Sequence, residues 1–380
     1  MFRFLFTSEA EEITCELCKR SSIFVSKALK VCGECIRTSP EAAQPYIEQA
    51  HQRSRARFGL PGEPPNDRNG VECKICVNSC KIPENERGFC GLRTNQNGRL
   101  QHIAGTSKKG ILEWYYDPLP TNCVSNWVCP GGTGAGFPKF SYTNKKPEHG
   151  YKNLAVFYGA CTFDCLFCQN WQYRKLSNSS SPTITSQELA EAVDDKTSCI
   201  CYFGGDPTPQ IMHAIKASQI AIDNNKNRIL RICWESNGSM ARKYLKTAAE
   251  LSLTSGGCVK FDLKTMDENL NKALCGVTNK QTLANFEYLS DLSKERPAPP
   301  MLIASTLLVP GYVEEDEVKR IAEFISSLDP EIPYSLLAFH PQFEMEDLPV
   351  TSKKQALVCL NAAEGAGLKR VKLGNIHLLG

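Results

Sequence analysis

From Lys152 to the end of the chain, short apolar runs alternate with longer amphipathic segments, and no other feature narrows the fold as much. The runs are Leu154–Tyr158, Cys199–Phe203, Ile229–Trp234, Cys258–Leu263, Leu302–Val309, Tyr334–Phe339 and Arg370–Leu373. Their length and their β-branched and aromatic content read as buried strands. Between them the spacing predicts helices. One starts at Thr185, where T-x-x-E to Glu188 resembles a capping box. Others cover Gln210–Asn224, Met240–Leu253, Gln281–Ser293, Glu315–Ser327 and Lys353–Gly365. Sustained strand–helix alternation implies an α/β fold, a parallel sheet with helices outside it, open or closed into a barrel. Working polar residues then belong at the C-terminal ends of the strands.

The first strand runs straight into GACTFDCLFCQNW, in which Cys161, Cys165 and Cys168 are spaced C-x3-C-x2-C. Three thiolates this close on a loop suit three corners of a [4Fe–4S] cluster and leave the fourth iron open to another ligand. A three-cysteine zinc site completed by a distant histidine is the competing reading of the bare pattern.

The second strand ends in YFGGDPTP (Tyr202 to Pro209), the third in WESNG (Trp234 to Gly238) and the fourth in FDLK (Phe261 to Lys264). The fifth leads into TLLVPG (Thr306 to Gly311) and the sixth ends in FHP (Phe339 to Pro341). Each block falls where the fold wants its ligand-binding groups. With the cysteine motif and the aromatic Phe167 inside it, they resemble the radical SAM superfamily, in particular the group related to pyruvate formate-lyase activating enzyme.

That resemblance implies a partial (β/α)6 TIM-type barrel. It also implies a [4Fe–4S] cluster on Cys161, Cys165 and Cys168, and S-adenosylmethionine (SAM) as cosubstrate. Gly204, Gly205 and Asp206 match the edge that receives the methionyl amino group, while Glu235, Asn237, Asp262, Lys264 and His340 match positions lining the SAM and substrate pocket. Singly, Asn237-Gly238 is an ordinary turn pair, and Asp262 with Lys264 reads equally well as an ion pair on one strand face. The closing VKLGNIHLLG resembles the GN-containing end of the same group, and His377 reads as packed or solvated. The implied reaction is reductive cleavage of SAM to a 5′-deoxyadenosyl radical that abstracts hydrogen from a substrate, with electrons from a donor such as ferredoxin or flavodoxin. A glycyl radical enzyme is the favoured protein substrate. Another protein, an RNA or a small molecule is the alternative, and so is a non-catalytic zinc-rich adaptor. Activating enzymes of the compact type carry the cysteine motif near the N-terminus, whereas here a long segment precedes it.

That segment holds two further cysteine groups. Residues 1–60 carry Cys15, Cys18, Cys32 and Cys35 as C-x2-C-x13-C-x2-C, which reads as a zinc ribbon. A polar helical stretch from Glu41 to about Arg57 and the turn-rich GLPGEPPNDRNG (Gly59 to Gly70) follow. Residues 61–150 carry Cys73, Cys76, Cys80 and Cys90 as C-x2-C-x3-C-x9-C, a site for zinc or an auxiliary iron–sulfur cluster. The activating-enzyme-like group has a similar block, matched by Gly88, Cys90, Gly91 and Arg93. Residues 151–380 form the barrel domain. Cys123 and Cys129 read as ligands, a redox pair or packed thiols; Cys199, Cys201, Cys233, Cys258, Cys275 and Cys359 read as small buried apolar residues.

Composition supports this division. The chain has 19 cysteines in 380 residues, an odd number in clusters, which argues for metal ligation in a reducing compartment over a disulfide framework. With 44 basic and 41 acidic residues the net charge is +3, too balanced to indicate nucleic-acid binding. No apolar run is long enough to cross a bilayer. The start, MFRFLFTSEAEE, lacks the parts of a signal peptide. A cytoplasmic protein of an anaerobic or oxygen-poor cell is the expectation.

Overall fold

The computed structural model describes residues 11–380; most of the apolar start weighed above as a signal peptide lies outside them. Nine strands build one sheet: β1 (Gly110–Pro118), β2 (Lys152–Tyr158), β3 (Thr183–Ile184), β4 (Thr197–Gly204), β5 (Arg231–Ser236), β6 (Val259–Asp262), β7 (Leu302–Leu308), β8 (Tyr334–Ala338) and β9 (Val371–Gly374). Their spatial order is β9-β8-β7-β6-β5-β4-β2-β1-β3. The strands from β2 to β9 through β4, β5, β6, β7 and β8 are parallel neighbours. All seven expected strands are present, each within a few residues of its expected ends. The order does not close on itself, so the barrel is partial.

Two strands join the sheet from outside the expected strand–helix alternation. β1 pairs antiparallel with β2, Leu112 opposite Tyr158, and β3 pairs antiparallel with β1. The sheet therefore begins before residue 150, inside a stretch whose glycines, prolines and asparagines predict mostly loops and short strands. GILEWYYDP is rich in aromatic residues that suit a strand, and it covers the edge that β2 would otherwise expose.

Apart from the single turn Pro130–Thr133, the α-helices are α1 (Gly33–Thr38), α2 (Pro40–Ala56), α3 (Tyr173–Ser179), α4 (Ser186–Glu191), α5 (Ile211–Asn224), α6 (Arg242–Ser255), α7 (Glu268–Cys275), α8 (Lys280–Ser293), α9 (Glu315–Leu328) and α10 (Lys353–Gly365). The capping box at Thr185 and Glu188 is formed in full. Alternate residues of each strand divide between two environments. Tyr202 and Trp234 face the helices, stacked at 4.6 Å, and the Trp234 indole donates to the Ala248 carbonyl of α6 at 2.9 Å. The opposite set turns inward: Phe203, Glu235, Lys260, Asp262, Leu307 and Leu337 from five consecutive strands line a single cavity. Convergence of that kind requires a strongly curled sheet.

Both N-terminal cysteine segments dock on this barrel. Ile75 and Val77 exchange backbone hydrogen bonds with Ser239 and Ala241 beyond β5. The buried Arg93 guanidinium donates to the carbonyls of Leu92 and Ala104 and, at 2.6 Å, to that of Pro209. Helix α2 packs against α7 and the loop after β2.

Candidate radical-chemistry site

The loop after β2 carries Cys161, Cys165 and Cys168, and all three line a cavity of about 340 Å³ at the C-terminal ends of the strands, within the usual range for a small-molecule site. The loop is fastened from several directions. Asp164 and Leu166 donate their backbone N–H groups to Cys275 and Leu274 at the end of α7. The fully buried Asp164 carboxylate accepts from His51 at 2.9 Å and Ser54 at 3.2 Å, and it pairs with Arg174 and Arg55. Burial works to raise this carboxyl, but His51, Arg174 and Arg55 outweigh it and hold the group well below the usual carboxylate range.

Glycine is needed where β4 meets this loop. Gly204 has φ of +107°, and a Cβ on Gly205 would lie 2.1 Å from the Ala160 carbonyl oxygen. The second strand end is thus pressed against the residue before Cys161, an approach only glycine permits. Asp206 ties this strand end to that of β5. Its carboxylate accepts from Thr208 N at 2.7 Å, Ser236 Oγ at 3.0 Å and Asn237 N at 2.7 Å. Asn237 passes the connection on, donating to Thr162 Oγ1 at 2.8 Å and lying 3.8 Å from Cys161 Sγ.

Deeper in the cavity lies a line of alternating charge. Lys260 bridges Glu235 and Asp262, each at 3.1 Å, and Asp262 also pairs with Lys264 at 3.0 Å and accepts from Ser305 at 2.5 Å. Asp262 and Lys264 are therefore both an ion pair and cavity lining. The sequence reading missed Lys260, although it sits two residues before Asp262 and so on the same strand face. It also missed Asn375 beyond β9 and Asn122 before β2, which line the same cavity. His340 is not brought in: Leu337 is the lining residue of β8, and His340 follows past the strand end, half-buried, with Nδ1 3.0 Å from the Pro341 carbonyl. His377 is exposed.

The cysteine groups differ in spacing. Among the described residues, the one set of three or more His, Cys, Asp or Glu side chains with all ligand atoms within 4.8 Å is Cys15, Cys18, Cys32 and Cys35. There Cys15–Cys35 and Cys18–Cys32 are each 3.9 Å apart at sulfur. One tetrahedral zinc with Zn–S of about 2.3 Å sets its sulfurs about 3.8 Å apart. Cys161, Cys165 and Cys168 are spread more widely, which does not suit one shared ion and does suit a cluster that gives each thiolate its own iron. Cys73, Cys76, Cys80 and Cys90 are likewise wider, and all four line one small cavity closed by Phe89, Arg93 and Thr162. Cys275, read from sequence as packing, has its sulfur 3.4 Å from that of Cys165.

Residues 155–325 match the sequence profile described as the Radical SAM superfamily. An uncharacterized protein of Methanocaldococcus jannaschii is 27% identical over 315 residues, 82% of this chain and 83% of that one. The pyruvate formate-lyase-activating enzyme of Streptococcus mutans is 26% identical over 203 residues, 51% of this chain and 73% of that enzyme. Among solved structures, a domain of pyruvate-formate lyase-activating enzyme from Bacteroides vulgatus aligns with a TM-score of 0.37 and 19% identity, covering 46% of this chain and 98% of that domain. Streptococcus suis SuiB bound to S-adenosylmethionine aligns with a TM-score of 0.40 and 13% identity, covering 57% of this chain and 49% of SuiB.

Proposed function

We propose that this chain, whose residues 155–325 match the Radical SAM superfamily profile, is a SAM-cleaving enzyme acting on a protein substrate, a glycine backbone position of a partner enzyme. One observation carries the catalytic reading: Cys161, Cys165 and Cys168 open together into the cavity at the strand ends, too widely spaced for a single ion. These thiols would hold a [4Fe–4S] cluster, and when bound, cluster and SAM supply reductive sulfonium cleavage and a carbon-centred radical for hydrogen abstraction.

The protein's own residues position and shield. Asp206 and Asn237 lock the second and third strand ends to the cysteine loop. Gly204 and Gly205 keep that edge free of side chains, so its backbone carbonyls would be open to an ammonium group of a bound cosubstrate. Glu235, Lys260, Asp262 and Lys264 present a charge pattern fixed by mutual pairing, which orients a polar cosubstrate without reorganisation. Helix α2 and the Cys73–Cys90 segment close the outer side of the loop against water.

The protein-substrate reading rests on relatives named as pyruvate formate-lyase-activating enzymes. The long N-terminal segment, fastened to the cysteine loop, offers a surface for gripping such a partner. At Cys15, Cys18, Cys32 and Cys35 the 3.9 Å separations support zinc; at Cys73, Cys76, Cys80 and Cys90 the wider set supports an auxiliary iron–sulfur cluster. Electrons would come from a ferredoxin- or flavodoxin-like donor. Among the described residues no helix is long and apolar enough to cross a membrane; a cytoplasmic setting is part of the proposal.

Anaerobically reconstituted protein with dithionite is expected to convert SAM to 5′-deoxyadenosine, and Cys161→Ala is expected to abolish it. No product from wild type, or zinc and no iron in every site, points to the adaptor. Anaerobic capture of a glycyl radical enzyme supports the substrate assignment; labelling of a small molecule or RNA instead removes it.

A further inference from the structure

Strand β1 shields β2 but is itself shielded over only part of its length. β3 pairs with it at Gly110 and Ile111, and the Leu112 N–H reaches the Pro182 carbonyl at 3.3 Å. Over residues 113–118 nothing among the described residues pairs with its outer edge. The bonds to β2 fix which groups that edge presents. Across this antiparallel pair Gly159 donates to the Ile111 carbonyl and Leu119 donates to that of Tyr151, so the odd-numbered residues of β1 turn their backbone groups to β2. The N–H and C=O groups of Trp114 and Tyr116 therefore point outward, without a backbone partner among the described residues. Their side chains hold the edge straight from the helix side of the sheet. The two rings meet edge to face at 5.3 Å, the Tyr116 hydroxyl donates to the Ala192 carbonyl at 2.6 Å, and the Lys152 ammonium lies 3.4 Å from the Tyr116 ring centre. A straight edge with unpaired donors and acceptors is a template for another extended chain.

The concave face of the same stretch says what kind of chain. It carries Glu113, Tyr115 and Asp117. Tyr115 is 52% exposed and stands edge-on to Phe203, with 6.4 Å between ring centres. Phe157, the registered partner of Glu113, makes the same kind of contact with Phe203 at 5.7 Å. Phe203 lines the cavity of Cys161, Cys165 and Cys168. The open edge is thus continuous with that cavity, on the side where the sheet order ends without closing. Glu113 and Asp117 have no ion-pair partner among the described residues, and Lys152 is taken by Asp194 at 2.5 Å. Two free carboxylates on either side of an exposed tyrosine favour cations. A second copy of β1 does not supply them: antiparallel pairing of two copies about Tyr115 sets Glu113 opposite Asp117, and like charges directly opposite are destabilising.

We propose that the edge at residues 113–118 docks an extended basic segment of the protein substrate as an added strand, its alternate Lys or Arg side chains lying over Glu113, Tyr115 and Asp117. This rests on the protein-substrate reading above. The Trp114 and Tyr116 backbone gives affinity without regard to sequence, and the carboxylates select for positive charge. Where β3 takes over the edge, the segment leaves it beside Phe157 and Phe203, at the mouth of the cavity.

The test titrates full-length protein into a fluorescein-labelled peptide of alternating valine and lysine, with binding read by anisotropy. A peptide of alternating valine and glutamate is the control. The lysine peptide is expected to bind, and the glutamate peptide to bind about tenfold or more weakly. Glu113→Lys/Asp117→Lys is expected to reverse that preference. Tyr116→Pro deletes an outward N–H that the fold does not use and is expected to abolish binding. Should it not fold, N-methylated peptides give the same answer with wild-type protein. An added strand turns alternate N–H groups toward β1, so methylating the valines or the lysines, one set only, is expected to abolish binding. No binding of the lysine peptide, equal binding of both charges, or indifference to Tyr116→Pro and to both methylations overturns the proposal. So does sedimentation of the protein alone as a dimer that Tyr116→Pro dissociates, which gives the edge to a second copy. Any of these results with 5′-deoxyadenosine still formed from SAM removes the docking edge and leaves the catalytic reading standing.

Discussion

His51 Nδ1 lies 2.9 Å from the Asp164 carboxylate, while its Nε2 lies 3.1 Å and 3.0 Å from the carbonyls of Lys272 and Ala273. Both ring nitrogens face oxygen atoms of neighbouring elements. One side chain of the N-terminal helix α2 thereby joins the middle of the cysteine loop to the end of α7. The segment that precedes the profile-matched residues is part of what shapes the loop of Cys161, Cys165 and Cys168.

Asp164→Asn leaves His51, Arg55 and Arg174 buried around a neutral amide. Removing one partner from a buried ionic group costs about 3–5 kcal/mol. Urea unfolding is expected to show a loss of that order, and reconstituted protein is expected to retain less than half the wild-type iron. Wild-type stability in the variant would show that the loop does not depend on this clasp.

Cys275 sits against Cys165 with the sulfurs 3.4 Å apart. Exposure to dioxygen, which takes up the two electrons and two protons, is expected to join them as a disulfide once iron is lost. Peptide mapping without reductant detects the cross-link. Cys275→Ser is expected to bind iron as wild type does and to recover it more fully after air exposure and reduction. A variant that fails to bind iron would instead make Cys275 a ligand.

Gly205→Ala drives a methyl group into the Ala160 carbonyl, 2.1 Å from the ideal Cβ position. Backbone has no rotamer with which to yield, so β4 or the cysteine loop must shift. A stability loss of about 1–3 kcal/mol is expected, with iron binding reduced together with SAM binding. Equilibrium dialysis with labelled SAM separates the two: unchanged affinity in iron-loaded variant would limit the role of Gly205 to folding.

The strands were legible because each is a short apolar run between breakers, and the site because its polar residues directly follow those runs. What escaped depends on register and distance. Lys260 faces the cavity because strand parity carries it there with Asp262. Asp164 draws its partners from residues 51, 54, 55 and 174, and no local pattern announces such a contact. β1 was hidden by the glycine- and proline-rich sequence around it. His340 shows the opposite limit: a strand-end motif fixes position along the chain but not which way the next side chain turns.

His213 of α5 sets a pH dependence outside the cysteine sites. Its Nε2 donates to the Ile184 carbonyl at 2.9 Å, and its Nδ1 accepts from the Tyr158 hydroxyl at 2.8 Å. The ring is therefore neutral in the fold, holding β3 and the end of β2 to α5. Burial lowers its pKa to about 4, against about 6.5 in an unfolded chain. As pH falls below that unfolded value, the unfolded state takes up a proton that the native state refuses, and stability declines until the native ring itself titrates. At about 1.4 kcal/mol per pH unit, the loss between neutrality and pH 5 approaches 2 kcal/mol. His213→Gln keeps one donor and one acceptor but does not titrate, so its stability is expected to change less over the same range. Urea midpoints measured at pH 7.5 and pH 5 decide the point: parallel declines in the two proteins would place the acid sensitivity elsewhere.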